Sequence, residues 1–448
     1  MKEKGINSFI KNNSSYPFHM PGHKRNALFE KLMALGAHSD ITEIKGADDL
    51  HNPTGIIRDL EEAIANRYGS DKSYVLANGS TCGNLAAMGA LGKRGDKVLV
   101  ARNCHRSVYH ALELFGYSPV FLNPEFIGEL GVYGAVEPNT VKDALLSNED
   151  IAFCVLTSPT YEGILSDTEA IAKLCHEAGV LLLVDQAHGA HLELSPYFTG
   201  SAVNWADLTV QSLHKTLPAL TPAAVLHTKG NRVNRILLEH YLRVFQSSSP
   251  SYPLMASAEL CLELCENAEL FKEWSDRIDR FEKSIGALKS IKLFRCVGMD
   301  KSKLVLTGKK GTELCDFLRQ RRIELEYATE SFALAMTGAG DSDEGFAALL
   351  TALEEADESL EDFGKKYSPA AFCVGDTTVT AEDAFKGERE YLPLDRCRGR
   401  IAAEYLWAYP PGIPLIIPGQ TISEGLEGTN AENLLTDSGK LPLFAVVK

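Results

Sequence analysis

Between about residue 58 and residue 230, short uninterrupted apolar runs alternate with longer stretches of helical period. Arg58 to Tyr68 has that period, Ala170 to Gly179 reads as a further helix, and Ser80 to Gly92, rich in alanine and other small residues, reads as a buried one. The runs Ser73 to Ala77, Lys97 to Ala101, Pro119 to Asn123, Ala152 to Thr157, Val180 to Asp185, Leu208 to Gln211 and Ala223 to His227 have the composition of strands. A strand that is apolar throughout is buried on both faces. The alternation therefore predicts an α/β fold with a parallel or mixed sheet covered by helices on both sides. In such a sheet, ligands sit beyond the carboxyl ends of the strands.

After Pro250 the pattern changes. Leu254 to Ser290 reads as one long helical stretch broken by little, and a weaker α+β pattern runs on to about Tyr367. From Cys373 to Lys448 the chain is dense in proline and glycine, as in Tyr409-Pro-Pro-Gly-Ile-Pro414 and Ile417-Pro-Gly419, which predicts an irregular C-terminal lobe. These changes divide the chain into an N-terminal segment (1–50) contributing to the site, a large domain (51–250), a small α+β domain (251–368) and the lobe (369–448). No internal repeat or low-complexity segment interrupts them.

Composition narrows the function classes. At ~150 residues per domain, 448 residues suit about three domains. Lys+Arg 45 against Asp+Glu 60 leaves a net charge of −15, which repels a phosphate backbone and tolerates cationic solutes. Nucleic acid is excluded as an expected partner. The 10 cysteines form no C-x-x-C pair and several lie in apolar runs, so they read as small core residues of a reducing compartment. No leader-like h-region follows Met1, and no apolar run reaches the ~18 residues that span a bilayer. A cytoplasmic location without membrane partners is the expectation.

The chemistry concentrates at two strand ends. Leu181-Leu-Leu-Val-Asp-Gln-Ala-His188 is an apolar strand ending in an aspartate, and Leu208-Thr-Val-Gln-Ser-Leu-His-Lys215 is a strand running into a Ser-x-His-Lys turn. A lysine in such a turn reads equally as a solvated loop residue. A carboxylate at the end of a buried strand, however, costs several kcal/mol unless a cation compensates it. A pyridinium nitrogen meets that need, and a lysine bonded to the same ring completes the pair that pyridoxal phosphate requires. Asp185 and Lys215 are one strand-helix-strand step apart, so both reach one sheet edge. The turn Ala77-Asn-Gly-Ser-Thr-Cys-Gly83 precedes a helix, and its hydroxyls and N–H groups suit a phosphate, although it also reads as an ordinary helix cap.

At this point the sequence resembles the fold-type I (aspartate aminotransferase-like) pyridoxal-phosphate enzymes and, within them, the ornithine/lysine/arginine decarboxylase family. The resemblance rests on Pro17-Phe-His-Met-Pro-Gly-His-Lys24, Asn78-Gly-Ser-Thr81, Asn103-Cys-His-Arg-Ser107, Pro159-Thr-Tyr-Glu-Gly163, Asp185-Gln-Ala-His188, Ser212-Leu-His-Lys-Thr-Leu217 and Tyr409-Pro-Pro-Gly-Ile-Pro414. It implies that Lys215 bonds the cofactor, Asp185 faces its ring nitrogen, His105 stacks on one ring face and Ala187 lies under the other. It also implies that Ser80, Thr81, Ser212 and His214 contact the phosphate side, with Gly79 allowing close approach and His214 a candidate proton donor. His105 also reads as a core histidine. His188 and His191 read as structural, because no carboxylate or cysteine completes a metal set.

Three features depart from the family pattern. The chain begins almost at the His-Met-Pro-Gly-His motif, which implies the short form without the N-terminal wing of the large rings. Pro222 and Gln420 stand where many members have glutamine and glutamate.

The resemblance implies decarboxylation of a basic L-amino acid in polyamine biosynthesis. Arginine, giving agmatine and carbon dioxide, is placed first, lysine second and ornithine third. Candidates to receive the substrate cation are Asp48, Asp49, Glu162 and Gln420, each equally readable as a loop or structural residue. A homodimer or higher oligomer with shared active sites is implied as well. The alternatives are an aminotransferase or aldolase of the same fold and a non-catalytic cofactor-binding regulator. A serine hydrolase does not fit, since Gly79-Ser-Thr-Cys-Gly83 is not G-x-S-x-G.

Overall fold

The computed structural model describes residues 5–26, 28, 30–367, 378–408, 412–423 and 434–448. Its centre is a seven-stranded sheet in the order Lys72–Leu76, Ala224–Thr228, Leu208–Ser212, Leu181–Asp185, Ile151–Thr157, Lys97–Ala101, Ser118–Leu122. Ala224–Thr228 runs antiparallel to both of its neighbours, and the other strands are mutually parallel. The sheet is thus mixed, and the strands fall within a residue or two of the positions that the apolar runs mark.

Continuous apolar sequence makes these strands because both faces are covered. Leu182, Leu183, Val184, Leu208 and Val210 have no exposed surface, and burying each contributes about 1.5–3 kcal/mol. One large apolar cluster packs the face carrying Met88, Val100 and Val108, and a second gathers Ile57, Val75, Leu213, Val225 and Trp274. The small residues of helix Gly79–Leu91 have a packing cause. A Cβ on Gly83 would stand 2.6 Å from Leu76 Cδ1 and 3.0 Å from Val210 Cγ1, so this helix lies against the sheet where larger side chains do not fit.

The stretch expected as one helix from Leu254 to Ser290 is two, Tyr252–Leu264 and Ala268–Ile285. Asn267 breaks it, because its side chain accepts the Glu269 N–H at 3.1 Å and caps the second helix. A four-stranded antiparallel sheet follows, in the order Lys292–Leu293, Lys303–Thr307, Ala333–Met336, Tyr327–Ala328.

The C-terminal segment is less irregular than its proline and glycine content suggests. Arg389–Pro393 pairs with Leu443–Val447, and Leu406–Ala408 lies between Ile413–Ile416 and Leu434–Thr436. Arg102, fully buried, ties this segment to the large sheet by donating to the carbonyls of Pro414 at 2.6 Å and Leu415 at 3.1 Å. Nine cysteines are described, all free and all buried but Cys296, which is half-buried. Cys373 and residues 409–411 of the Tyr-Pro-Pro-Gly motif lie outside the described residues.

Candidate active site

Strand register brings the two chemical strand ends together. Asp185 is level with Thr157 on one neighbouring strand and Val210 on the other, so the turn carrying Lys215 rises beside it at the carboxyl edge. Asp185 Oδ2 accepts from Asn84 Nδ2 at 2.8 Å and Oδ1 from the Ala187 N–H at 3.1 Å. A carboxylate offers about four acceptor sites, so two donors leave room for a third. Asn84 also donates to Ser107 Oγ at 3.0 Å, and that hydroxyl lies 2.9 Å from His105 Nδ1. His105 caps helix Arg106–Phe115, and these contacts lock its ring relative to Asp185. Burial pushes its imidazole down to about 4, against the attraction of Asp185, so the ring is neutral near pH 7.

Lys215 is the third of the four residues of the short helix Leu213–Thr216. Its Nζ lies 2.9 Å from His188 Nε2. Burial lowers the Lys215 ammonium from its ordinary value, outweighing the carboxylates of Asp185 and Glu326, and Lys303 adds to the lowering. A lysine held this way gives up its proton more readily and is the better nucleophile. His188, read as structural in the sequence, is therefore part of the site. Burial, then the ammonium groups of Lys215 and Lys303, hold it well below its ordinary value. Its position three residues after a strand-end aspartate, in a turn that folds back over the sheet edge, was the signal that could have found it.

The same edge has the features of an anion site. Leu76, Ala224 and Ser212 are level across three adjacent strands, so Ser212 and the turn after Leu76 share one margin. Gly79 takes φ +78°, a conformation open to glycine, and a Cβ there would approach Pro222 at 3.3 Å. Helix Gly79–Leu91 starts without a side-chain cap, leaving its first N–H groups for another acceptor. Ser80 is half-buried and Thr81 exposed at that end. Ser212 Oγ is buried without a hydrogen-bond partner, as are the hydroxyls of Thr157 and Thr216. His214 is half-buried, with Nδ1 3.0 Å from the Ala223 carbonyl oxygen. A phosphate on Ser212 and the helix terminus satisfies groups that are otherwise orphaned.

The four candidates for the substrate cation fall in different places. Asp48 accepts N–H groups of Thr54, Gly55 and Ile57 at 2.8 to 3.0 Å, capping helix Ile56–Tyr68. Asp49 is exposed and accepts the His51 N–H at 2.9 Å. Gln420 is buried in the C-terminal segment. Glu162 is nearer the site: it is buried, accepts the Tyr327 hydroxyl and Thr160 Oγ1, and burial raises its carboxyl despite those bonds. His191 lies deeper, 3.2 Å from Asp300, whose other oxygen pairs with buried Lys303 at 3.0 Å.

Comparison with known proteins gives the family and the fold. Over 436 residues the chain is 35% identical to the uncharacterised protein YaaO of Bacillus subtilis, covering 92% of this chain and 89% of that one. It is 29% identical over 434 residues to an arginine decarboxylase of the same organism, covering 91% and 88%. The structure of the Francisella novicida lysine decarboxylase LdcF matches with a TM-score of 0.84 at 19% identity, over 99% of this chain and 81% of that one. The fold is that of the fold-type I enzymes, with aspartate and lysine at adjoining strand ends of a mixed sheet. A family model described as the Orn/Lys/Arg decarboxylase major domain matches residues 4–339, and one described as the family's C-terminal domain matches residues 367–430. The chain belongs to the Orn/Lys/Arg decarboxylase family, and it is an amino-acid decarboxylase of the pyridoxal-phosphate-dependent kind.

Proposed function

We propose that the chain converts arginine to agmatine and carbon dioxide, with lysine and ornithine as the next substrates in order. The observation that carries the reading is the convergence at one sheet edge of Asp185, Lys215 and the orphaned Ser212 hydroxyl beside an uncapped helix N-terminus. Pyridoxal phosphate, held there by Lys215, supplies the electron sink for the bond to the departing carboxylate.

The chain's own residues supply orientation and charge. Asp185 holds a proton on the ring nitrogen, which keeps the sink strong. The neutral ring of His105, locked through Ser107, would cover one face of the bound ring, and Ala187 the other. Gly79, Ser80, Thr81 and Ser212 would hold the phosphate. His214 Nδ1 donates to the Ala223 carbonyl, so this ring returns a proton to Cα only as the imidazolium, a form that burial and the Lys215 ammonium disfavour and that a phosphate bound nearby would favour. The similarity to a Bacillus arginine decarboxylase supports arginine first, and the structural likeness to a lysine decarboxylase keeps lysine second.

The test is carbon dioxide release from the three amino acids under identical conditions. Arginine is expected to show the highest kcat/KM. A tenfold advantage for lysine or ornithine overturns the ranking, and no release from any of them overturns the function.

The N-terminal segment bears on assembly. Phe18 is 93% exposed, Tyr16 69% and Met20 64%, although they flank or occupy one of the family motifs, and Leu28 and Leu35 are more than 80% exposed. Apolar surface of this kind is what a partner covers. A second copy of the chain is the proposed cover, completing a shared pocket. Sedimentation is expected to show a dimer or larger species, and an active monomer overturns this point.

A further inference from the structure

The loop after strand Ile151–Thr157 and the edge of the four-stranded sheet meet in two reciprocal hydrogen bonds. Tyr161 donates its hydroxyl to Glu326, and Tyr327 donates its hydroxyl to Glu162. Each partner in one pair is the sequence neighbour of a partner in the other, and the two tyrosine rings meet edge to face at 5.2 Å. The inner pair is closed, since Tyr327 and Glu162 are both buried. The outer pair is open, because Glu326 is exposed and makes no ion pair among the described residues. Tyr161 also packs against His188, with ring centroids 4.3 Å apart, and His188 holds Lys215 at 2.9 Å. A continuous line of contacts thus leads from the Lys215 amine to an exposed carboxylate.

We propose that Glu326 is the acceptor for the distal cation of the substrate, held in place by Tyr161 and by the buried Glu162–Tyr327 pair behind it. The proposal rests on the reading of the site as a basic-amino-acid decarboxylase and names the residue that reads the side chain. Four observations support it. Of the other carboxylates, Asp48 is committed to a helix cap, Glu162 to Tyr327 and Asp185 to Asn84 and Ala187, while exposed Asp49 is bonded within its own loop to the His51 N–H. Glu326 lies close enough for its charge to act on the Lys215 ammonium. An extended arginine side chain, with bonds of about 1.5 Å, carries its guanidinium about 7 Å from Cα, farther than the 4.3 Å between the His188 and Tyr161 ring centroids. Finally, the Tyr161 hydroxyl occupies one of about four acceptor sites of the carboxylate and orients it, leaving sites on both oxygens for a guanidinium fork or an ammonium. Orienting the acceptor beforehand lowers the entropy lost when substrate binds.

The test compares a dicationic and a monocationic amine. Agmatine and n-pentylamine are titrated calorimetrically into cofactor-loaded and cofactor-free protein, alongside KM and kcat for arginine. Wild type is expected to bind agmatine at least about tenfold more tightly than n-pentylamine. Glu326→Gln keeps an acceptor for Tyr161 but removes the charge. It is expected to weaken agmatine and raise KM by about ten- to fiftyfold, with n-pentylamine affinity unchanged and kcat within about threefold. Glu326→Asp should recover part of the loss, and Tyr161→Phe should show a smaller loss of the same kind. An agmatine preference that survives in Glu326→Gln, with KM within twofold of wild type, overturns this proposal alone. A wild type that lacks the preference and turns over none of the three amino acids overturns it together with the function it rests on.

Discussion

Lys215→Ala is expected to lose carbon dioxide release by about a thousandfold or more, equivalent to about 4 kcal/mol in the barrier, in a protein that still folds. The loss follows from the position of the amine, which is the nucleophilic nitrogen at the edge where Asp185 and the anion-binding turn converge. Retention of the fold follows from the energetics of the same nitrogen. Burial lowers the Lys215 ammonium, so its charge is carried at a desolvation cost. Removing it ends that cost and forfeits one hydrogen bond to His188, worth about 1 kcal/mol. The measurement pairs activity with borohydride reduction and peptide mass mapping. Wild type should carry a pyridoxyl group on the peptide containing Lys215, and the variant should carry none. Activity within tenfold of wild type, or the pyridoxyl group on another lysine, removes Lys215 from the chemistry.

Much of this site was readable because its key residues stand at the ends of strands, where apolar run and polar terminus are adjacent in sequence. Asp185 closes Leu181–Asp185 and Lys215 follows Leu208–Ser212 by three residues, so their convergence needed only the parallel register of neighbouring strands. His188 escaped because its meaning depends on the turn 186–191 folding back toward Lys215, a tertiary event with no periodic signal. Glu326 escaped for a related reason. It lies beside the two-residue strand Tyr327–Ala328, and its partner Tyr161 is 165 residues away in sequence. Asp48 shows the opposite ambiguity, because an aspartate ahead of Thr54-Gly55 serves equally as a helix cap and as a ligand, and only the four N–H groups on its oxygens decide. The helix break at Asn267 was visible in principle as an Asn-x-Glu start but was masked by apolar residues on both sides. In the C-terminal segment, dense proline and glycine hid short antiparallel pairs such as Arg389–Pro393 with Leu443–Val447.

Asp185→Asn is expected to keep the fold and the cofactor while kcat falls by two orders of magnitude or more, about 2.7 kcal/mol at the lower bound. Both Asp185 oxygens accept N–H groups, so an amide NH2 in place of either one meets a donor. Asn84 relieves the conflict. Its Oδ1 is buried without a partner, so turning its amide presents that oxygen to the new NH2, and the Ser107 hydroxyl turns its one proton from His105 Nδ1 to the turned amide, leaving the ring held by the Ser107 N–H. The substitution therefore exchanges charge for neutrality with little change in packing, leaving the Ala187 N–H bonded to the amide oxygen. What it removes is the negative charge beside the ring nitrogen. Without that charge the ring proton is no longer favoured, and the electrons of the breaking bond have a weaker sink. The absorbance of the bound cofactor should shift in the variant and its ring-nitrogen pKa should fall, a signature that loss of fold would not produce. A cofactor that protonates as readily as in wild type, together with a kcat loss below tenfold, would make Asp185 a strand-end structural residue and return the electron-sink role to another group.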